Sequence, residues 1–333
     1  MTNVAVIGDG QMGLVMADAL VARGVNVRLW GPFPTHIDDL AECRKSTRLP
    51  DFMLSDDVQV TSNSEEALGE VDVAINAIPT QYIRKVWGDI SNFVPSGIPI
   101  ACVAKGIEIG TNVLPTQIIE ELLGEGHSTC VLSGPTIATE LVRRKPAVMV
   151  SSSKDEVVAK QVQDLFDVPW LRIYTHGDPL GVELAGALKN VIAIAAGICD
   201  GMELGDNAKS AMLSRGLAEI SRLGISLGAQ LETFFGISGV GDLATTCFSP
   251  HGRNRTCGER LGKGEELQTI TETMGSVVEG VSTTKAVHAL SKEQGVEMPI
   301  SSVMYRVLFE DLAIHDAISS LMSRDLRAEQ LRR

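Results

Sequence analysis

The stretch VAVIGDGQMG, residues 4–13, decides how the first half of the chain must fold. Val4, Ala5, Val6 and Ile7 make a short, mostly β-branched apolar run that stops at glycine, the pattern of a buried strand entering a tight turn. MGLVMADALVARG (12–24) follows with helical spacing and ends at Gly24, and VNVRLW (25–30) is a second strand. The connection is long enough for a parallel crossover, so the unit is β-α-β. In that setting the three glycines acquire roles. Gly8 permits the turn, Gly10 leaves room for a pyrophosphate, and Gly13 lets the helix approach the sheet. The start of the helix supplies backbone donors and a field suited to phosphates. A dinucleotide site is the expectation, and a glycine turn without a ligand is the alternative.

Moving outward, VDVAINAI (71–78), PIACVAKG (99–106), STCVLSG (128–134), PAVMVSS (146–152) and LRIYTH (171–176) read as further strands. Helical segments at 115–123 and 154–166 separate several of them. Such alternation predicts a mostly parallel sheet covered on both faces. After GDPLG (177–181) strands disappear. Segments 181–198, 207–223, 229–235, 256–262, 268–273, 281–292 and 300–309 read as helices. The expected domains are 1–180, a nucleotide-binding α/β domain, and 181–333, an all-α substrate-binding and catalytic domain. The closing RDLRAEQLRR (324–333) reads as an exposed helix end or tail.

Composition narrows the function. Over 333 residues the formal charge is −13, which argues against a nucleic-acid or anionic-membrane partner. Six cysteines without a CxxC pair, behind a start lacking a basic leader, predict reduced thiols and a cytoplasmic setting. The apolar run 187–198 contains Lys189 and Asn190 and is too short to span a bilayer, so no membrane insertion is expected. Cys247, His251 and Cys257 do not supply a four-ligand set, and no metal is expected. The helical half could pair two copies into a homodimer, although the same apolar periodicity builds an internal core.

Several polar residues stand where chemistry could gather. The second strand ends Trp30-Gly31-Pro32-Phe33, with no carboxylate where a site for an unphosphorylated ribose often has one. Trp30 can cover the adenine side or simply pack, and His36 reaches the site only if its loop folds back. The cofactor is thus NAD or NADP, with the preference open. NAIPTQ (76–81) and VAKGIE (103–108) follow strands, placing Pro79 and Lys105 in loops suited to ligands. SGPTIATE (133–140) offers Gly134 and Thr136 beside a helix start. In GALKNVIAIAAG (186–197), Lys189 shares a helical face with Ala185, Ile192 and Ala196. It either snorkels to solvent or exchanges a proton, its pKa lowered by burial and raised by a nearby carboxylate or phosphate. GVGDLATTC (239–247) carries Asp242, an N-cap or a site carboxylate. SPHGRNRTCG (249–258) carries Arg253 and Asn254, a fork and an amide suited to phosphate.

Taken in order, VIGDGQMG, LWG, AKGIE, SGPT, GALKNVIAI, GLAEISRLG, GVGDLATTC, GRNR and VVEG resemble the bacterial NAD(P)-dependent glycerol-3-phosphate dehydrogenase family over nearly the whole chain. The resemblance implies a Rossmann-type first domain and reversible reduction of dihydroxyacetone phosphate to sn-glycerol 3-phosphate, feeding glycerophospholipid synthesis. It implies Lys189 as general acid and base, with Lys105 and Asp242 beside it in the catalytic set. Gly134, Thr136, Gly252, Arg253 and Asn254 match further substrate-binding positions. Gly8, Gly10, Gln11, Met12, Gly13, Trp30, Pro32, Lys105, Ala138, Arg253, Val277 and Glu279 match cofactor-binding ones.

Three residues depart from the family pattern. Asp9 replaces the usual alanine between the first two glycines, harmless if turned outward and weakening for cofactor phosphates if turned inward. Pro32 replaces a commonly polar residue, and Gly252 replaces a commonly hydroxyl-bearing one. The alternatives to the implied activity are a dehydrogenase of another small hydroxy acid, with Arg253 on a carboxylate, and a nucleotide-binding homologue weakened in catalysis.

Overall fold

Eight strands form one sheet in the order β3-β2-β1-β4-β5-β6-β7-β8. They are β1 Asn3–Ile7, β2 Asn26–Trp30, β3 Val58–Thr61, β4 Val73–Asn76, β5 Ile100–Cys102, β6 Thr129–Ser133, β7 Ala147–Ser152 and β8 Leu171–His176. This is a computed structural model, and it describes residues 2–124 and 126–325. All pairings are parallel except β6 with β7, so the sheet is mostly parallel, as the β-α alternation predicts. The six strands β3-β2-β1-β4-β5-β6 have the order of the dinucleotide-binding Rossmann fold.

Burial explains which strands the sequence revealed. Val4 to Ile7 and all of β4 and β5 are buried, because helices cover both faces. At one edge β8 alternates buried and exposed residues. At the other edge β3, VQVT, was not expected as a strand. It has four residues, only two of them buried, and its pairing with β2 defines it more than its own pattern does. The helix α1, Gln11–Ala22, follows the glycine turn, and α2, Pro34–Cys43, opens with Pro34 in its first turn, where a missing N–H costs nothing.

The chain resolves into two compact units. One comprises the residues up to Lys105 together with Pro115–Pro179; the other takes Gly106–Leu114 and everything from Leu180 onward. The excursion 106–114 is invisible to a boundary drawn at a single point, and within the second unit it contributes Ile107 and Leu114 to the apolar core. Among described residues, that unit contains no strand beyond this point of the chain.

Its central element is the helix Pro179–Gly201, buried from Gly181 through Cys199. At 23 residues it is long and apolar enough to cross a membrane, longer than the apolar run alone suggests. Its surroundings decide the matter: the apolar window is wholly enclosed by the other helices. Small residues let it touch the Arg253–Gly262 helix backbone to backbone. A Cβ on Gly197 would come within 2.0 Å of the Arg255 carbonyl oxygen, and one on Gly258 within 1.9 Å of that of Ile194. Larger residues would force these helices apart. The helices Asp242–Phe248 and Ile314–Met322 lie outside the segments expected from sequence. The tail from residue 326 lies outside the described residues.

Candidate active site

The nucleotide turn is built as its glycines require. Gly8 has φ of +120°, and a Cβ there would lie 2.9 Å from the backbone of Ala77. A Cβ on Gly13 would lie 1.7 Å from the carbonyl oxygen of Gly8, so α1 can press against the turn only with glycine at that position. At Gly10 the same construction meets nothing within 4 Å, which leaves an open approach to the backbone. Gly10 is the N-cap of α1 and no side chain caps that end. Open space over uncapped backbone donors fits the phosphates of a dinucleotide.

Around the turn, Gln11 and Met12 are half-buried, and Gln11 Nε2 donates to the Arg48 carbonyl at 2.7 Å. Trp30 is buried and its indole donates to the Ser62 carbonyl at 3.0 Å, so packing accounts for its side chain. Pro32 is exposed after β2. Arg28 donates to the Gly69 carbonyl. His36 does fold back, to Asp9: its Nδ1 lies 2.6 Å from Asp9 Oδ2. Asp9 is turned inward, only 3% exposed, yet aimed sideways at Arg48 and His36.

Parallel strands deliver their following loops to one edge of the sheet, the edge where ligands of open α/β folds bind. The turn after β1, NAIPTQ after β4, Lys105 after β5 and Gly134 and Thr136 after β6 therefore share it. Lys105 Nζ donates to the Gly134 carbonyl at 2.8 Å, and Thr136 Oγ1 donates to the same oxygen at 3.0 Å. Pro79 is the N-cap of the Thr80–Ile90 helix, and Ala138 opens the short Ala138–Leu141 helix.

In the helical unit Lys189 does not snorkel to solvent. Ala185, Ile192 and Ala196 on its face are all buried, and Lys189 itself is 5% exposed. The ammonium turns to Asp242 Oδ1 at 2.7 Å. Asp242 is no N-cap: Gly241 holds that position, and the Asp242 carboxylate is buried against the lysine. The helix it opens follows a π-turn, Ile237–Gly241, whose break at Gly239 redirects the chain. Lys189 also donates to Thr246 Oγ1, and Thr246 lies one turn on from Asp242 and donates to it at 3.4 Å. Sequence reading did not single out Thr246. The i, i+4 spacing from Asp242 was the available signal.

A second polar group lies one residue along. Asn254 Nδ2 donates to Asn190 Oδ1 at 2.9 Å, and Asn254 Oδ1 accepts from the Gly280 N–H at 2.9 Å. Arg253 is exposed and donates to the Val277 carbonyl at 3.2 Å, while Gly252 is the N-cap of its helix. Glu279 begins the Glu279–Glu293 helix, so VVEG, GRNR and LKN meet. Cys247 and Cys257 are buried, and burial pushes their thiols up to about 12 and about 11. His251 is exposed, and among the described residues no three His, Cys, Asp or Glu side chains gather.

Comparison with known proteins gives these groups a common context. Residues 3–159 match the family model described as NAD-dependent glycerol-3-phosphate dehydrogenase N-terminus, and residues 178–319 match that of the C-terminus. The chain belongs to the NAD-dependent glycerol-3-phosphate dehydrogenase family. It is 44% identical to the glycerol-3-phosphate dehydrogenase [NAD(P)+] of Staphylococcus haemolyticus over 332 residues, 99% of this chain and 100% of the relative. The crystal structure of glycerol-3-phosphate dehydrogenase from Coxiella burnetii superposes with a TM-score of 0.93 at 31% identity, covering 97% of this chain and 99% of that one. That from Saccharomyces cerevisiae gives 0.82 at 25% identity, covering 97% and 99%. The chain is thus an NAD(P)-dependent oxidoreductase of this family.

Proposed function

We propose that the protein catalyses reversible reduction of dihydroxyacetone phosphate to sn-glycerol 3-phosphate in the cytoplasm, feeding glycerophospholipid synthesis, with Lys189 as general acid and base. The observation that carries the assignment is the buried Lys189–Asp242–Thr246 group, in a chain of this family. A lysine inside a helix core, its Nζ held 2.7 Å from a buried carboxylate, places a proton-transferring group away from bulk water.

When bound, the reduced dinucleotide supplies a hydride to the ketone carbon. The Lys189 ammonium gives its proton to the oxygen of that carbon as negative charge develops there, and leaves as a neutral amine that solvent reprotonates. In oxidation the neutral amine takes the alcohol proton. Asp242 fixes the position of Nζ, and Thr246 holds a second direction around the same nitrogen. Arg253 and Asn254 bind the substrate phosphate, the guanidinium by charge and the amide by direction. Gly252 contributes backbone only. Lys105, with Gly134 and Thr136, steadies the substrate oxygens, and the turn from Gly8 to Gly13, with Ala138, Val277 and Glu279, belongs to cofactor binding.

The test is an absorbance assay of dihydroxyacetone phosphate reduction, with NADH and NADPH in parallel and a panel of small keto acids as competitors. Turnover of the phosphorylated ketone alone supports the proposal. Preference for a keto acid moves Arg253 onto a carboxylate and overturns it, and cofactor binding without turnover of any of them identifies a nucleotide-binding homologue.

A further inference from the structure

A carboxylate inside a phosphate-binding turn calls for a reason. Asp9 lies between Gly8 and Gly10 and is 3% exposed. Its Oδ1 is 2.7 Å from Arg48 Nη1. Its Oδ2 lies 2.6 Å from His36 Nδ1, off the axis of a hydrogen bond, so this buried oxygen has no hydrogen-bonded partner. The carboxylate lies over the end of β2: a Cβ on Gly31 would fall 2.8 Å from Asp9 Cγ. In folds of this class an acid borne by β2 itself usually occupies that place and accepts hydrogen bonds from the adenosine ribose. Here β2 ends Trp30-Gly31-Pro32 and bears none. Gly31 leaves the space, and Asp9 reaches into it from the turn after β1.

The arginine beside it is already committed. Arg48 is paired to Asp9, and its backbone is held by Gln11 at the start of α1. Pro32 offers no donor, and Asp39 and Glu42 of α2 outnumber the single lysine, Lys45, that joins them and His36 around one surface cleft. A ribose 2′-hydroxyl would find an acceptor here. A 2′-phosphate would meet a carboxylate whose arginine is engaged. We propose that Asp9 makes this an NADH-preferring enzyme, replacing the missing β2 carboxylate and withholding Arg48 from a 2′-phosphate. The proposal rests on the reading that this turn holds the dinucleotide, and it adds which dinucleotide and why.

Dissociation constants for NADH and NADPH, measured by titration calorimetry without substrate, test it on the full-length protein and on D9A, D9N, R48A and D9A/R48A. The wild type is expected to bind NADH at least tenfold more tightly than NADPH. D9A and D9N are expected to lower that ratio tenfold or more, chiefly by tightening NADPH. Adding R48A to D9A is expected to cancel the gain, while R48A alone shifts NADPH less than threefold. Equal or tighter NADPH binding by the wild type overturns the proposal, as does an unchanged ratio in D9N, which preserves side-chain size. If the Asp9 variants do not fold, a tenfold loss of NADPH affinity in R48A alone overturns it. Because no substrate is present, failure to reduce dihydroxyacetone phosphate would count against the proposed reaction and leave this outcome readable.

Discussion

Two lysines in the helical unit are buried to nearly the same degree, Lys189 at 5% exposed and Lys209 at 7%, and both face an aspartate. Their surroundings differ. Lys209 Nζ donates to both oxygens of Asp200 at 2.8 Å, Arg255 adds a third contact at 2.6 Å, and the ring of Phe248 lies 4.8 Å from the ammonium. Two cations around one carboxylate tie the helices Pro179–Gly201, Gly205–Ser226 and Arg253–Gly262 together. Lys189 instead donates to Asp242 Oδ1 and to the Thr246 hydroxyl, which itself donates to that oxygen. The first arrangement spends its charge on holding helices; the second suits a proton that must leave and return. Burial alone therefore does not distinguish the lysine proposed to transfer a proton from one that holds helices together.

The largest effect that would break this contrast is on turnover. Lys189→Met is expected to lower kcat about 10³-fold with cofactor affinity near normal, and Lys209→Met to leave kcat within about threefold while lowering stability by roughly 1–3 kcal/mol. Steady-state kinetics beside denaturant unfolding reads both, and an inactive but fully stable Lys209→Met would erase the distinction. Next, Asp242→Asn removes the counter-charge of a buried ammonium, a loss on the order of 3–5 kcal/mol when one partner of such a pair goes. Denaturant unfolding of this variant beside the wild type reads the loss, and an unchanged stability would remove the pair as a structural contributor. A smaller effect is expected at Arg253. Alanine there should raise the substrate KM roughly 10- to 100-fold, the range for losing a charged hydrogen-bonding group, with kcat less affected, and a non-phosphorylated analogue should be indifferent to the change.

A separate effect, on stability alone, concerns a buried acid with no part in the contrast. Glu219 accepts from the Ile300 and Ser301 N–H groups at the start of the Pro299–Phe309 helix. Burial pushes its pKa from 4.5 to about 7, against those hydrogen bonds and Arg222. The folded protein therefore holds this proton more tightly than the unfolded chain. The associated stability is full below about pH 4.5 and is lost as pH rises through about 7, roughly 3 kcal/mol by linkage. Glu219→Gln should flatten that slope in melting experiments from pH 5 to 8, and an unchanged slope would remove Glu219 as its source.

Much of this was legible in the order of residues. Glycine spacing after a β-branched run specified the turn, because a φ of +120° at Gly8 and a near-contact at Gly13 exclude side chains wherever the turn occurs. The helices expected at 115–123 and 181–198 are present, the second extended at both ends to Pro179–Gly201. Where local pattern was thin, reading failed. β3 has too few buried residues to declare itself, and the Asp242–Phe248 helix starts behind a π-turn that no periodicity encodes.

What sequence alone determined is the inventory: a parallel nucleotide-binding sheet, a helical partner, and the residue types available for hydride and proton chemistry. What only the tertiary structure decided is which of those residues meet. Lys189 and Asp242 are 53 positions apart in the chain, and Asp9 and Arg48 are likewise distant in sequence. Local propensity acts over a few residues, whereas the pairing of charges follows from which helices and loops the two cores bring side by side. The same lysine would have read as a solvated one had its face been left open.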